Sequence, residues 1–427
     1  VEHVVLVDGE LDGAISLQTL EASGEPGFDF DASWRAVQQD DIATLIYTSG
    51  TTGPPKGVQL THAGLIAQVR SMLERVPLRP GGRTTSFLPS AHLADRWFQH
   101  YQCSIGLGFT ITCVADPRTV LGVLAELKPT AWGSVPRIWE KLKAALEAQG
   151  IGDPRMLTEK QRMAIRAKLG FDECEWLATG GAPTPPEVLR FFGDLGLEIC
   201  ELFGMSETSC VIACNPPGAV KTGTCGTAIA GVELMLAEDG ELLTRSEMLM
   251  AGYRGDTART EETIDADGWL HTGDIAEIDD DGYVTIVDRK KELIINAGGK
   301  NMSPANIEAA LKSAHSLIGQ AVAIGDRRSY NVALIVLDPD VCAAFAAAHE
   351  IADGSAAGLA AHPRAQALIA EAIDTANRSL ARVEQIKRHT ILDRDWLPGG
   401  EELTPTMKLR RKPIAEKYAA EIEALYA

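Results

Sequence analysis

The sequence predicts an α/β protein in three parts: a large N-terminal domain of mostly parallel sheet with flanking helices, a small β-rich subdomain, and a small α+β domain at the C-terminus. Three observations predict it. Over the first half, apolar strand-like runs alternate with helical patterns, as in a parallel sheet covered by helices. From about residue 220, short strands and Asp-Gly turns take over. From Asp288 the pattern changes again, to mixed helices and strands. The domains are therefore 1–287, with the β-rich subdomain at about 220–287, and 288–427.

Taken in order, Val4–Val7 already reads as a strand in a chain whose first residue is Val. This predicts a chain that opens in mid-domain. Residues 42–47 (IATLIY) are β-branched and apolar, as strands are. Thr61 can N-cap a helix whose apolar residues Leu65, Ile66, Val69, Met72, Leu73 and Val76 recur at helical spacing. Cys103–Ala115 reads as a buried strand, too short to span a bilayer. Helices are predicted at Thr119–Leu127, Pro136–Gln149 and Pro185–Leu195, and strands at Thr130–Val135, 174–179 and Glu198–Phe203. In the β-rich part, strands fall at Glu233–Leu236, Glu247–Met250, Ala276–Ile278 and Tyr283–Val287. The last domain carries helix Pro304–Ala314, strands Ile318–Ile324 and Ala333–Leu337, and an Ala-rich helical stretch over 343–371. A terminal helix places Ile414, Tyr418, Ile422 and Leu425 on one face.

The 427 residues carry 40 Lys+Arg against 59 Asp+Glu, a net charge of −19. That balance opposes a nucleic-acid partner held by counterion release. Eight cysteines are scattered without a CxxC pair or zinc-site spacing, which reads as reduced thiols in a cytoplasmic protein.

Four stretches carry chemistry. "YTSGTTGPPKGV" (Tyr47–Val58) combines Gly50, Gly53 and Gly57 with the hydroxyls of Thr48, Ser49, Thr51 and Thr52 and the cation of Lys56. Bare amides, hydroxyls and one lysine after a strand make a polyphosphate cradle. It is not a Walker loop, because Pro54 and Pro55 precede the lysine and oppose a helix there. "ELFGMSET" (Glu201–Thr208) ends a strand in Phe203, Gly204, Met205, Ser206 and Glu207. Its carboxylate suits Mg²⁺ on phosphates and its aromatic ring suits stacking. In the third stretch Asp274 ("HTGD") can accept from ribose hydroxyls and Arg289 ("DRKKELI") can donate to the same sugar. Lys408 lies in the basic run "LTPTMKLRRKP".

In this order and spacing the four stretches resemble the adenylate-forming superfamily of acyl-CoA synthetases, luciferases and peptide-synthetase adenylation domains, from about Asp40 to Pro413. The resemblance implies that Thr48–Thr52 and Lys56 hold the β- and γ-phosphates of ATP. It places Gly180, Gly181 and Ala182 against adenine and the acyl pocket, with Phe203 and Gly204 as the stacking pair and Ser206 near the α-phosphate. Glu207, with Thr48, becomes the Mg²⁺ site, and Asp274 with Arg289 the ribose site. Lys408 becomes the adenylation lysine on a mobile C-terminal domain. Asp288 becomes its hinge, and Gly298 and Gly299 line a coenzyme A channel. "SFLPSAHLADRW", with His92 near the carboxylate, "PTAWGSVPRIWEKL" and "LTPTMKLRR" are similar to the long-chain fatty acyl-CoA synthetase branch. Phe203 and Ser206 stand where that superfamily more often has Tyr and Thr. Its members also carry a further N-terminal portion that completes the first subdomain.

The resemblance thus implies a ligase joining a fatty acid to coenzyme A at the expense of ATP, with Mg²⁺. Two other readings stay open at this point: a fatty acyl-AMP ligase that loads a carrier protein, and a non-catalytic nucleotide-binding fragment. The sequence leaves chain length, oligomeric state and peripheral membrane contact open.

Overall fold

The computed structural model describes residues 4–48, 55–296, 300–397, 399–404 and 407–427. The expectations for Ser49, Gly50, Thr51, Thr52 and Gly53 in the cradle, and for Gly298 and Gly299, fall outside the described residues. Two compact units emerge, one ending at Asp41 and one spanning Ile42–Ala427.

In the first unit, Val5–Leu6 pairs parallel with Ile15–Ser16. Two short helices follow, Leu17–Ala22 and Phe30–Ala36, capped by the side chains of Ser16 and Asp29.

The second unit opens with an antiparallel hairpin, Ile42–Thr48 against Lys56–Thr61, with Thr48 opposite Lys56 at its mouth. The chain leaves the cradle as a strand rather than a helix, as the two prolines require. Gly252–Tyr253 pairs with the far edge of Lys56–Thr61. Thr61 caps helix His62–Arg75, its hydroxyl accepting from the Gly64 amide at 3.1 Å.

A five-stranded sheet follows, in the order Thr227–Ala228, Ala213–Cys214, Ile199–Phe203, Trp176–Gly180, Ala131–Ser134. Its last three strands are parallel. Helices Pro136–Ala148 and Pro186–Asp194 pack Trp139, Val188 and Phe192 against the sheet's Trp132, Leu177 and Ile199.

One element departs from expectation. Arg96–Gly106 is a π-helix, and only Thr110–Cys113 of the expected strand is extended. A short apolar run does not distinguish the two by periodicity. Here Trp97, Phe98 and Cys103 are buried on the core side, and Gly108, at φ +63°, turns the chain out of the helix.

The β-rich part is a four-stranded antiparallel sheet of Glu233–Leu236, Glu241–Arg245, Leu270–Ile278 and Val284–Arg289. Its second strand lies at 241–245 rather than Glu247–Met250, because the Asp239-Gly240 turn folds the chain straight back. The last strand runs through Asp288 and Arg289, two residues beyond the expected end.

The C-terminal part sets Ile318–Ile324, Asn331–Leu337 and Ile386–Ile391 in one sheet. Helices Pro304–Ala314 and Pro363–Ser379 cover it. The terminal helix breaks at Tyr418 into Arg411–Lys417 and Ala419–Tyr426, yet Ile414, Tyr418 and Ile422 are all buried together. Among the described residues, each hydrophobic cluster of this unit draws its members from one side of Asp288 only. Among the same residues, no helix is long and apolar enough to cross a membrane.

Candidate active site

The parallel strands Trp176–Gly180 and Ile199–Phe203 end side by side. Clefts beyond the carboxyl ends of such strands are where ligands bind in open α/β sheets. Gly180, Gly181 and Ala182 leave the first strand, with Gly181 and Ala182 exposed and Gly181 at φ +82°. Phe203, Gly204 and Met205 leave the second, half-buried. Gly204 is fixed by packing: a Cβ there would lie 1.6 Å from the Cys210 carbonyl oxygen.

Ser206 and Glu207 begin a buried 3₁₀ turn, closed by Thr208, whose hydroxyl accepts from the Met205 amide at 3.2 Å. Glu207 Oε1 accepts from the Tyr253 hydroxyl at 2.8 Å. The Lys56 ammonium stands 4.8 Å from the centre of the Tyr253 ring. Burial leads a downward pull on the Lys56 pKa, which Glu207 opposes and Arg259 and Lys291 reinforce.

At the other end, Asp274 and Arg289 face each other across antiparallel strands. Arg289 Nε lies 2.8 Å from Asp274 Oδ1, and its Nη1 donates to the Thr272 carbonyl at 3.2 Å. Asp274 is 3% exposed, and its Oδ2 is buried without a partner among the described residues. An orphaned buried carboxylate oxygen calls for a donor. Burial pushes the Asp274 carboxyl up to about 6, against the pull of Arg289 and Lys408.

Lys408, in the C-terminal part, is coupled to this pair by charge alone. Its loop is closed by an antiparallel bridge between Leu403 and Leu409, and its amide donates to Thr404 Oγ1 at 3.0 Å. Lys408 is exposed, yet desolvation leads a lowering of its pKa. Arg289 adds to that lowering, and Asp274, Glu292 and Glu207 oppose it. His92 is reached from the same side: burial first, then Lys408, holds its imidazole below the ordinary range. Its Nδ1 accepts from the Ala94 amide at 3.3 Å, which leaves the ring proton on Nε2. Next to it, Asp95 accepts from Ser90 Oγ at 2.8 Å and Ser86 Oγ at 3.2 Å and so fixes the turn.

The fold thus brings Lys56, Glu207, Asp274, Arg289, Lys408 and His92 into one electrostatic neighbourhood. Asp288 points elsewhere: its Oδ2 accepts from Ser303 Oγ at 2.5 Å and the Ala305 amide at 3.0 Å, at the start of helix Pro304–Ala314. Sequence reasoning missed Tyr253, Glu201 and Arg411. Glu201 offered a signal, an acid inside the apolar strand ICELF. It is buried, accepts from the Thr184 amide at 3.4 Å through Oε1, and burial pushes it up to about 7.

A carboxylate and a lysine beside one parallel-strand terminus, with an acid–arginine pair and a second lysine opposite, define a nucleotide-binding α/β protein. Residues 2–254 match the AMP-binding enzyme family, and residues 291–427 match the AMP-binding enzyme C-terminal domain. The chain belongs to the AMP-binding enzymes, the adenylate-forming group that the four motifs resemble. A Mycobacterium tuberculosis protein named as fatty-acid–CoA ligase FadD11 is 47% identical over 97% of this chain and 79% of its own. FadD15 of the same species, named as a long-chain-fatty-acid–CoA ligase, is 36% identical over 100% of this chain and 76% of its own. The o-succinylbenzoate CoA synthetase of Bacillus subtilis, solved with the acyl-adenylate intermediate OSB-AMP, shares the fold. Its TM-score is 0.70 at 24% identity, over 94% of this chain and 74% of that one.

Proposed function

We propose that the protein is an AMP-forming ligase of long-chain fatty acids and coenzyme A, acting through an acyl-adenylate. The observation that carries this reading is the buried Asp274–Arg289 pair, whose Asp274 Oδ2 lacks a donor among the described residues, in a chain of the AMP-binding enzymes. A fatty carboxylate must attack the α-phosphorus of ATP, expelling pyrophosphate, and the two anions repel. Lys408, a cation from outside the nucleotide's own domain, would offset the repulsion there and stabilise the charge that develops in the transition state.

Position and the motif resemblance support the remaining roles. Thr48 and Lys56 take the outer phosphates at the mouth of the hairpin, with Ser49–Gly53 between them in the sequence. Gly180–Ala182 and Phe203–Met205 take adenine between the two strand ends, with Ser206 beside the α-phosphate. Asp274 and Arg289 take the ribose. His92, neutral and carrying its proton on Nε2, donates to the fatty carboxylate and orients it. The coenzyme A thiol then attacks the acyl carbonyl, forming the thioester and expelling AMP. For this second step the domain 288–427 swings about Asp288, withdrawing Lys408 and bringing Gly298 and Gly299 to a pantetheine channel.

Glu207 and Thr48 suit Mg²⁺. Glu207 is buried, and among the described residues no Lys, Arg or His lies in ion-pair contact with it. Buried charges that lack such a partner commonly coordinate metals. A hard cation there would neutralise phosphate charge.

The test is pyrophosphate release against fatty acids of increasing chain length, followed by acyl-CoA detection after addition of coenzyme A. Release that rises with long-chain acids and ends in a thioester is expected. Release indifferent to every fatty acid would overturn the reading. An adenylate that coenzyme A leaves intact would move the activity to carrier-protein loading.

A further inference from the structure

Tyr253 touches two groups assigned above without belonging to either of their motifs. Its position is dictated by the sheet: it pairs with Val58, two residues from Lys56, on the strand that leaves the cradle. Gly252 before it stands at φ +145°, and a Cβ there would meet Thr260 Cγ2 at 2.9 Å. The Tyr253 amide donates to Thr260 Oγ1 at 2.9 Å, so the backbone is pinned on both sides. The residue is 5% exposed. Its hydroxyl donates to Glu207 Oε1 at 2.8 Å, and its ring face carries the Lys56 ammonium at 4.8 Å. A phenol that occupies one carboxylate oxygen leaves the other as the ligand atom. A lysine resting on an aromatic face is attracted by the ring and is held short of the carboxylate it would otherwise pair with.

We propose that Tyr253 is the positioning residue that sets the metal-binding carboxylate Glu207 and the phosphate-binding cation Lys56 as one unit. This rests on the reading of Glu207 as the Mg²⁺ ligand. Tyr253 touches neither phosphate nor metal; it presents Glu207 with one oxygen turned outward and keeps Lys56 from neutralising it. Hydrogen-bonded partners of metal ligands typically change metal affinity by about 10–100-fold when removed.

The experiment uses Tyr253→Phe, which keeps the ring and loses the hydroxyl, and Tyr253→Leu, which loses both. Mn²⁺ binding in the presence of ATP is read by electron paramagnetic resonance, and ATP binding without metal by calorimetry in chelator. Tyr253→Phe is expected to weaken Mn²⁺ binding about tenfold, to raise the Mg²⁺ needed for half-maximal pyrophosphate release in proportion, and to leave metal-free ATP binding unchanged. Tyr253→Leu is expected to weaken metal-free ATP binding as well, through Lys56. In a Glu207→Gln background, Tyr253→Phe should have no further effect on Mn²⁺. Wild-type Mn²⁺ affinity in Tyr253→Phe overturns the proposal. So does a Tyr253→Phe effect that persists undiminished without the Glu207 charge, since the hydroxyl would then act elsewhere. Failure of the functional reading looks different: the wild-type protein would bind Mn²⁺ and ATP with the same Tyr253 dependence but release no pyrophosphate with any fatty acid.

Discussion

Arg411 forks onto Glu308, Nη1 to Oε1 at 2.6 Å and Nη2 to Oε2 at 2.8 Å, while its Nε reaches Glu292 at 3.0 Å. Glu308 also accepts from the Ala323 amide at 2.9 Å, tying the cluster into strand Ile318–Ile324. The cluster anchors the chain three residues after Lys408. Removing one partner of a buried pair leaves the other charge uncompensated. Arg411→Met should therefore destabilise the C-terminal part by about 3–5 kcal/mol. Glu292→Gln keeps the fork on Glu308 and should cost about 1 kcal/mol or less. Urea denaturation of both variants checks this, and equal losses would refute the division of labour.

Asp274 gives the site a pH dependence with a definite sign. Its folded carboxyl is raised to about 6 by burial, above its ordinary value, so stability from this group is present at low pH and lost as pH rises through about 6. Ribose hydroxyls need the ionised acceptor, so AMP affinity should move the opposite way, tightening as pH rises through the same window. Asp274→Asn should flatten the profile and weaken AMP binding at pH 8 by about 10–100-fold, the cost of losing hydrogen bonds to a charged group. Calorimetric titration with AMP at several pH values decides. A wild-type profile without a step would remove Asp274 from the sugar.

Lys408 should matter to one half of the reaction. Lys408→Ala is expected to slow pyrophosphate release by about 10²-fold or more, because only that step develops charge between carboxylate and α-phosphate. Thioester formation from supplied acyl-AMP and coenzyme A should be far less affected. Equal losses in both assays would contradict the role.

Asp288 makes two separable predictions. Asp288→Ala removes the acceptor for Ser303 and the Ala305 amide, and should cost about 1 kcal/mol as lost helix caps do. Asp288→Pro fixes φ near −65°. If one joint must take two settings, one half-reaction should fall more than tenfold and the other survive. Both falling together with a lowered melting temperature would make the position structural only.

Much of this was legible in the residues, for reasons that can be named. Pro304–Ala314, Ile318–Ile324 and Glu233–Leu236 fall where strand and helix periodicities place them. The motif residues are dense in donors and charges, so their chemistry shows without a partner in view. What did not show depends on contacts distant in the chain. Tyr253 and Glu207 are 46 residues apart, and Arg411 and Glu308 are 103 apart. No local pattern joins them. The end of the Arg96–Gly106 helix hid because its Cys103–Gly106 turn runs into the apolar stretch to Ala115, which fits either element by periodicity.

Adjacent residues of a strand point to opposite faces, and here the two faces answer to different things. Arg289 turns to Asp274 and the proposed ribose, while Asp288 turns to the first amides of a helix in the C-terminal domain. If Arg289 meets the nucleotide and Asp288 is the joint, a dipeptide with one side chain in each place links the two thermodynamically. Whatever free energy a bound nucleotide contributes to one setting of the C-terminal domain, that setting returns as nucleotide affinity by the same factor. A substitution in helix Pro304–Ala314, far from any phosphate, would then register as a changed dissociation constant for AMP.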